Sequence, residues 1–288
     1  MKFIKPTSVF LGAICLFSLA ADAQTAPGKL TLAKGQKIQI DNNVKSVISQ
    51  EMMGQAMEIT IDANMTHQVE VKDKKKNSYV VSSTLTKLST SGTAMGQEMK
   101  FDWDKPEDME SETGKALKDQ LNVSKELEVN DKAEVIAGIK KDTAAAGGDQ
   151  LMDMMNNVIG GGSDESNGAA MAFDVIPKGK KVGDSWSDSS VTDDMKIYRS
   201  YTIKEVNGND ATVTLTGKQV TKKKVEQQGM EINVNMEGKL SGEGVVDMST
   251  GLVKQKTTVM DGVGTAEIMG QSMPVTTKVT TTTTVKTI

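Results

Sequence analysis

Cysteine is almost missing from this chain. Cys15 is the single one in 288 residues, and it falls in a segment expected to be removed. No disulfide and no thiolate metal site can form in what remains. Histidine and arginine are as scarce, with one each, His67 and Arg199. Catalysis needs a convergent set of acid, base, nucleophile or metal ligand, and histidine is its commonest member. His67 opens a strand-like run with no partner motif and reads as an ordinary surface or edge residue. No G-x-S-x-G, Walker A, Rossmann or H-E-x-x-H pattern is present. Aromatics make up 3% of the chain, and Phe3, Phe10 and Phe17 lie in the first residues. A carboxylate pair acting on sugars would ordinarily bring aromatic platforms, which are lacking. The net charge is −4, and no basic patch with interleaved aromatics exists, so nucleic acid is not the partner. These absences predict a protein that is not an enzyme and carries no cofactor or metal.

Long apolar runs are also missing after residue 23, so no transmembrane segment is expected in the mature chain. Before it stands a secretory signal. Lys2 and Lys5 form a positive start, Val9 to Leu19 an apolar stretch too short to span a bilayer, and Ala21-Asp22-Ala23 a cleavage site. Cys15 sits inside the apolar stretch after Ile14, the wrong place for lipidation. The reading is residues 1–23 as signal peptide, a mature chain from Gln24, and export to the periplasm or the extracellular space. Roughly 265 residues remain, enough to bury about three-quarters of their extended surface without staples.

What the chain has is methionine, 19 residues, and a repeated segment. Met53-Gly54-Gln55-Ala56-Met57, Met95-Gly96-Gln97-Glu98-Met99 and Met269-Gly270-Gln271-Ser272-Met273 are three copies of Met-Gly-Gln-x-Met; Gln228-Gly229-Met230 is a worn fourth. Each stands between runs of alternating residues. Glycine takes φ > 0 without steric cost, so each copy predicts a hairpin turn. Met57, Ile59 and Ile61 alternate with Glu58, Thr60 and Asp62, the period of a half-buried strand. Val275, Thr277, Val279, Thr281, Thr283 and Val285 share one face of a long terminal strand. Asn207-Gly208 and Thr250-Gly251 predict two more hairpins. The spacing suggests an internal duplication, about 36–104 and 180–288.

Between the halves lies a helical insert, about 105–165. Pro106, followed by Glu107, Asp108 and Glu110, starts a helix with Met109, Ala116, Leu117 and Leu121 on one stripe. Glu126–Val129 and Glu134–Ile139 read as a hairpin over Asn130-Asp131. Asp149 caps a second helix whose stripe is Leu151, Met152, Met155, Val158 and Ile159. That stripe is the candidate lining of a ligand cavity, with Gly160-Gly161-Gly162 behind it. The expected fold is α+β, mainly β: one curved antiparallel sheet, half-barrel-like, with two central helices packed on one face.

The run from Phe173 to Trp186 is the most distinctive local motif. Pro177 and Gly179 break the chain, Gly183-Asp184 turns it, and Trp186 anchors the next strand. On Pro177-Lys178-Gly179-Lys180-Lys181-Val182-Gly183-Asp184-Ser185-Trp186 the chain resembles a family of secreted proteins of unknown function from Bacteroidetes-type bacteria. The resemblance implies a signal peptide and a β-rich body, and carries over no functional residue. The order of strands, helices and strands is more distantly similar to periplasmic lipoprotein carriers, half-barrels around an apolar cavity. The leading expectation is a non-enzymatic envelope protein that binds a lipid, an acyl chain or another hydrophobic small molecule. A structural or interaction protein with a solid core is the alternative, and a methionine-rich metal binder a third; thioethers suit Cu(I), but methionine also fills irregular apolar surface.

Overall fold

The computed structural model describes residues 26–52, 55–94, 96–118, 121–138, 168–227, 230–268 and 270–288. The expected signal peptide, and the stripe Leu151, Met152, Met155, Val158 and Ile159, lie outside the described residues. Among those described, twelve strands form one open antiparallel sheet. In chain order they are β1 (Lys37–Met52), β2 (Gln55–Lys74), β3 (Ser78–Ala94), β4 (Gln97–Asp102), β5 (Ser124–Asn130), β6 (Val135–Ala137), β7 (Ser185–Val191), β8 (Met195–Asn207), β9 (Asp210–Gln227), β10 (Met230–Asp247), β11 (Leu252–Ile268) and β12 (Gln271–Thr287). Across the sheet the order is β6-β5-β3-β2-β1-β12-β11-β10-β9-β8-β7, with β4 paired to the upper part of β3. The first and last strands are therefore neighbours at the centre.

The register sorts side chains into two faces. Ile38, Ile40, Asn42 and Val44 of β1 sit beside Val69, His67, Met65 and Ala63 of β2, and beside Thr287, Val285, Thr283 and Thr281 of β12. These point to the inner face, which holds the buried residues. The outer face carries the alternate positions, where lysines meet carboxylates: Lys45–Asp62, Lys218–Glu237, Lys224–Glu231 and Lys278–Asp261. Alternation of period two thus yields one apolar and one hydrated face.

One end of the inner face is capped. Residues 26–36 and 168–184 cross it, and Leu30, Leu32, Phe173 and Ile176 join Ile38, Ile40, Val71, Val129, Ile203 and Val246 in a single cluster. Full burial of each such side chain stabilises by about 1.5–3 kcal/mol. The cap also shows the sheet's shape. The Leu30 amide donates to Asp131 O at 2.6 Å and the next amide, Thr31, donates to Thr250 O at 2.8 Å. Successive amides are about 3.6 Å apart at most, so the two carbonyls lie within about 9 Å. Asp131 follows β5 and Thr250 precedes β11, five strand spacings away, roughly 24 Å in a flat sheet. The sheet therefore curls around its inner face at this end.

The opposite end carries the connections β1–β2, β3–β4, β9–β10 and β11–β12. Gly96 lies on the β3–β4 connection and Gly270 on the β11–β12 connection. Gly96 and Gly270 adopt φ of 75° and 80°, the left-handed conformation that the repeat predicted.

Two central helices are not what the described residues hold. The helix from Pro106 breaks at Ser111 into α1 (Pro106–Glu110) and α2 (Glu112–Leu117). Ser111 is extended, and its hydroxyl accepts from the Gly114 amide at 3.1 Å, starting α2 afresh. A serine that can cap competes with helix continuation. Both helices are short and lie beside β4. Leu117 and Leu121 still pack inward, against Leu85, Leu88, Phe101, Met65 and Val44.

Candidate ligand-binding face

Beyond the capped end the inner face changes character in two steps. The first is a belt of buried polar side chains. Thr283 Oγ1 donates to Asn42 Oδ1 at 2.7 Å, joining β12 to β1. Asn42 is 3% exposed and Thr283 4%. The other end of the amide, Asn42 Nδ2, is buried with no hydrogen-bond partner. On β2, diagonally across from Asn42, stands His67, 7% exposed. It is not the edge residue its sequence context suggests; β2 runs unbroken through it. Its ring is wedged by Gly168, where a Cβ would stand 2.5 Å from the imidazole Cγ. His67 Nδ1 is also buried and unpartnered. Burial lowers the His67 pKa to about 4, because an imidazolium here would lose its hydration. Ser46 and Thr90, also buried, lie further along the same face, Ser46 beside Val279 and Ile61 and Thr90 beside Ala63.

The second step is an apolar strip on β10, β11 and β12. Val234, Met236, Leu240, Met260, Ala266, Ile268, Val275 and Val279 are inner-face residues. All are half-buried, and apart from Val279 they stand outside the three buried clusters. The strip is paved with glycine. Gly238 pairs with Gly262, and Gly264 with Met236. A Cβ at Gly264 would strike the Asn235 carbonyl of the next strand, and one at Gly262 would stand 2.7 Å from Thr277 Cγ2. Neighbouring strands approach on this side more closely than a side chain permits, which is what interior strand glycines allow. Met236 Cε and Met260 Sδ each lie 3.1 Å from the position of such a Cβ, at Gly262 and Gly238 respectively. The two thioethers thus lie over the glycine pair and form the floor of the strip.

The capped end, by contrast, is densely packed among the described residues. Its cavity between Tyr201, Val213, Leu215, Val246 and Lys256 has a volume of ≈ 10 Å³, the room of one water. Trp186, the residue expected to anchor a strand, stacks on Tyr201 at 5.2 Å between ring centroids. The Tyr201 hydroxyl donates to Asp188 Oδ2 at 3.2 Å and Arg199 Nε to Asp188 Oδ1 at 2.7 Å. Burial, with the adjacent carboxylates, drives the Tyr201 phenol well above its ordinary pKa. Lys256 pairs with Asp174 at 3.0 Å, tying β11 to the 168–184 segment.

A groove of ≈ 470 Å³ lies on the outer face, among Asp41, Asn43, Asn64, Thr66, Lys87 and Asp104. Its groups are largely occupied with each other. Asp41 accepts from Gln39 and Thr66, and Asn43 donates to Asp62 and Asn64. Among the described residues no three His, Cys, Asp or Glu side chains gather to hold a metal, and no helix is long and apolar enough to cross a membrane.

Sequence reasoning named none of the belt residues as functional. Asn42 follows an aspartate and precedes a second asparagine, a run that reads as polar; only the alternation from Ile38 and Ile40 to Val44 places it inside.

The sheet is similar to part of the solved structure of lipovitellin, determined in connection with lipid–protein interactions, at a TM-score of 0.52 and 9% identity. The likeness covers 89% of this chain and 25% of that one, so the chain spans about a quarter of lipovitellin's length. An outer membrane channel from Pseudomonas putida F1 aligns over 89% of this chain and 97% of its own at 8% identity, with a TM-score of 0.25, too low to show a shared fold. No curated protein matches the chain in sequence. Residues 76–253 match the family of unknown function DUF6263; the match takes in more than half the chain, which belongs to that family.

Proposed function

We propose that this DUF6263 member is an exported, non-enzymatic protein of the cell envelope that holds a lipid or acyl chain against the inner face of its half-barrel-like sheet. The observation that carries the reading is the half-buried strip of Val234, Met236, Leu240, Met260 and Ile268 over a glycine floor. An apolar surface left partly in water is a standing driving force for a partner of the same character, worth about 25 cal/mol per Å² covered. Methionine suits the role, because its unbranched thioether adapts to ligands of varied shape. The likeness to a lipovitellin structure concerned with lipid supports the reading at the level of fold.

The densely packed capped end, with its ≈ 10 Å³ cavity, favours the second reading for that half: a packed scaffold that presents the strip. The two are separated by native mass spectrometry of protein purified from its own host, together with titration of a fluorescent fatty acid. Binding predicts co-purified lipid and saturable uptake. Met260→Asp and Val234→Asp, at half-buried positions, should lower uptake at least tenfold with little loss of stability. A wild-type protein that takes up neither fatty acid nor phospholipid overturns the reading and leaves the scaffold.

A further inference from the structure

We infer, on the basis of that reading, that the Asn42–His67–Thr283 belt selects the ligand's head, and selects an uncharged oxygen function, an ester carbonyl or a hydroxyl, over a carboxylate. Two buried polar atoms with no partner stand here on adjacent strands, Asn42 Nδ2 and His67 Nδ1. Buried polar groups in proteins are almost always hydrogen-bonded, and an orphan costs about 1–3 kcal/mol. Two orphans on diagonal neighbours of one face call for a single polar guest. Asn42 Nδ2 can only donate, so the guest must offer an acceptor oxygen. His67 Nδ1 donates or accepts according to its tautomer, which suits either an ester or an alcohol.

Charge decides the class. His67 stays neutral above about pH 4, and Asn42 and Thr283 carry no charge. The nearest inner-face cation in register is Lys256, the partner of Thr283 on β11, and Asp174 already neutralises it at 3.0 Å. A carboxylate buried against these groups would lack a counter-charge, which is costly. A neutral head is not penalised in this way.

Length agrees. On β11 the rise from Lys256, level with Thr283, to Ile268 is about 40 Å at 3.4 Å per residue. A bilayer's hydrocarbon core of about 30 Å holds two acyl chains end to end, so one chain fits along the strip from the belt toward the methionine turns.

The test compares 1-monooleoylglycerol, sodium oleate at pH 8 and hexadecane by displacement of a fluorescent probe from the full mature chain. The wild type should bind the glyceride at least tenfold more tightly than oleate. The double variant Asn42→Leu/Thr283→Val replaces both partners by apolar groups of similar shape. It should lose that preference while hexadecane binding and thermal stability hold or rise. His67→Leu, measured separately, should weaken glyceride binding in the same direction and provides the answer if the double variant does not fold. Equal binding of glyceride and oleate by the wild type overturns the inference while leaving lipid binding intact. Unchanged preference in the variants does the same, and means that the belt holds only a bridging water. Absence of any binding overturns both.

Discussion

His67 sets a pH dependence that can be measured without knowing the ligand. Its folded pKa is lowered to about 4 from an ordinary 6.5, so the unfolded chain takes the proton first as pH falls. Stability is complete above about pH 6.5, declines as pH drops toward 4, and levels off for this group below that. A shift of this size corresponds to about 3 kcal/mol. Denaturant unfolding between pH 7.5 and 4.5 should show the decline, and His67→Leu should remove most of it. The lysine-paired carboxylates Glu70, Asp73, Glu128, Glu231 and Glu237 are also shifted, downward. Their contribution is lost only as pH falls below the usual carboxylate range, so the two effects separate. A curve flat from pH 7.5 to 4.5 in the wild type would count against a buried neutral imidazole. Gly264 makes a second residue-scale prediction. Gly264→Val would drive a side chain into the Asn235 carbonyl and should destabilise by several kcal/mol, read as a lowered denaturation midpoint. The sequence placed the ligand lining on the 151–159 stripe and named neither the strip nor the belt; the residue pattern explains why the strip's strand faces were still the easier to read. Apolar alternation along β10 and β12 survives inspection, whereas Asn42 and His67 are polar residues on an apolar face, and their burial comes from strands distant in sequence.

Among the elements, the hairpins follow from glycine and period two, and the turns at Gly96, Gly208, Gly251 and Gly270 all take positive φ. Trp186 was also readable as a strand anchor, because proline and glycine isolate it from what precedes. The long β2 was harder. Ala63-Asn64-Met65 looks like an interruption, since alanine and asparagine favour strands weakly, yet the alternation Ile61, Ala63, Met65, His67 runs through it. The helix after Pro106 was right in position and wrong in length, because the same Ser111 that can sit in a helix also caps one. Its stripe nevertheless meets its purpose. Leu117 is 1% exposed, and Leu117→Ala should cost about 2–5 kcal/mol, seen as a lower unfolding midpoint with an unchanged far-ultraviolet spectrum. Ser111→Ala should cost only about 1 kcal/mol. A negligible effect of Leu117→Ala would mean that α2 is not docked on β3 and β4 in solution.

For the whole molecule, the sheet's central seam is the pairing of β1 with β12, closed by the Asn42–Thr283 hydrogen bond between residues 241 apart. Its consequence is one of time. A ribosome delivers β1 early and β12 last, and the middle of the sheet cannot be completed in the interval. Until then β1 and β11 both present bare edges, the templates on which chains join wrongly. So long a separation predicts slow folding. Ending the chain at Met269 would make the delay permanent: such a truncation should aggregate rather than fold, whereas removing β7 from the far edge would leave the seam intact.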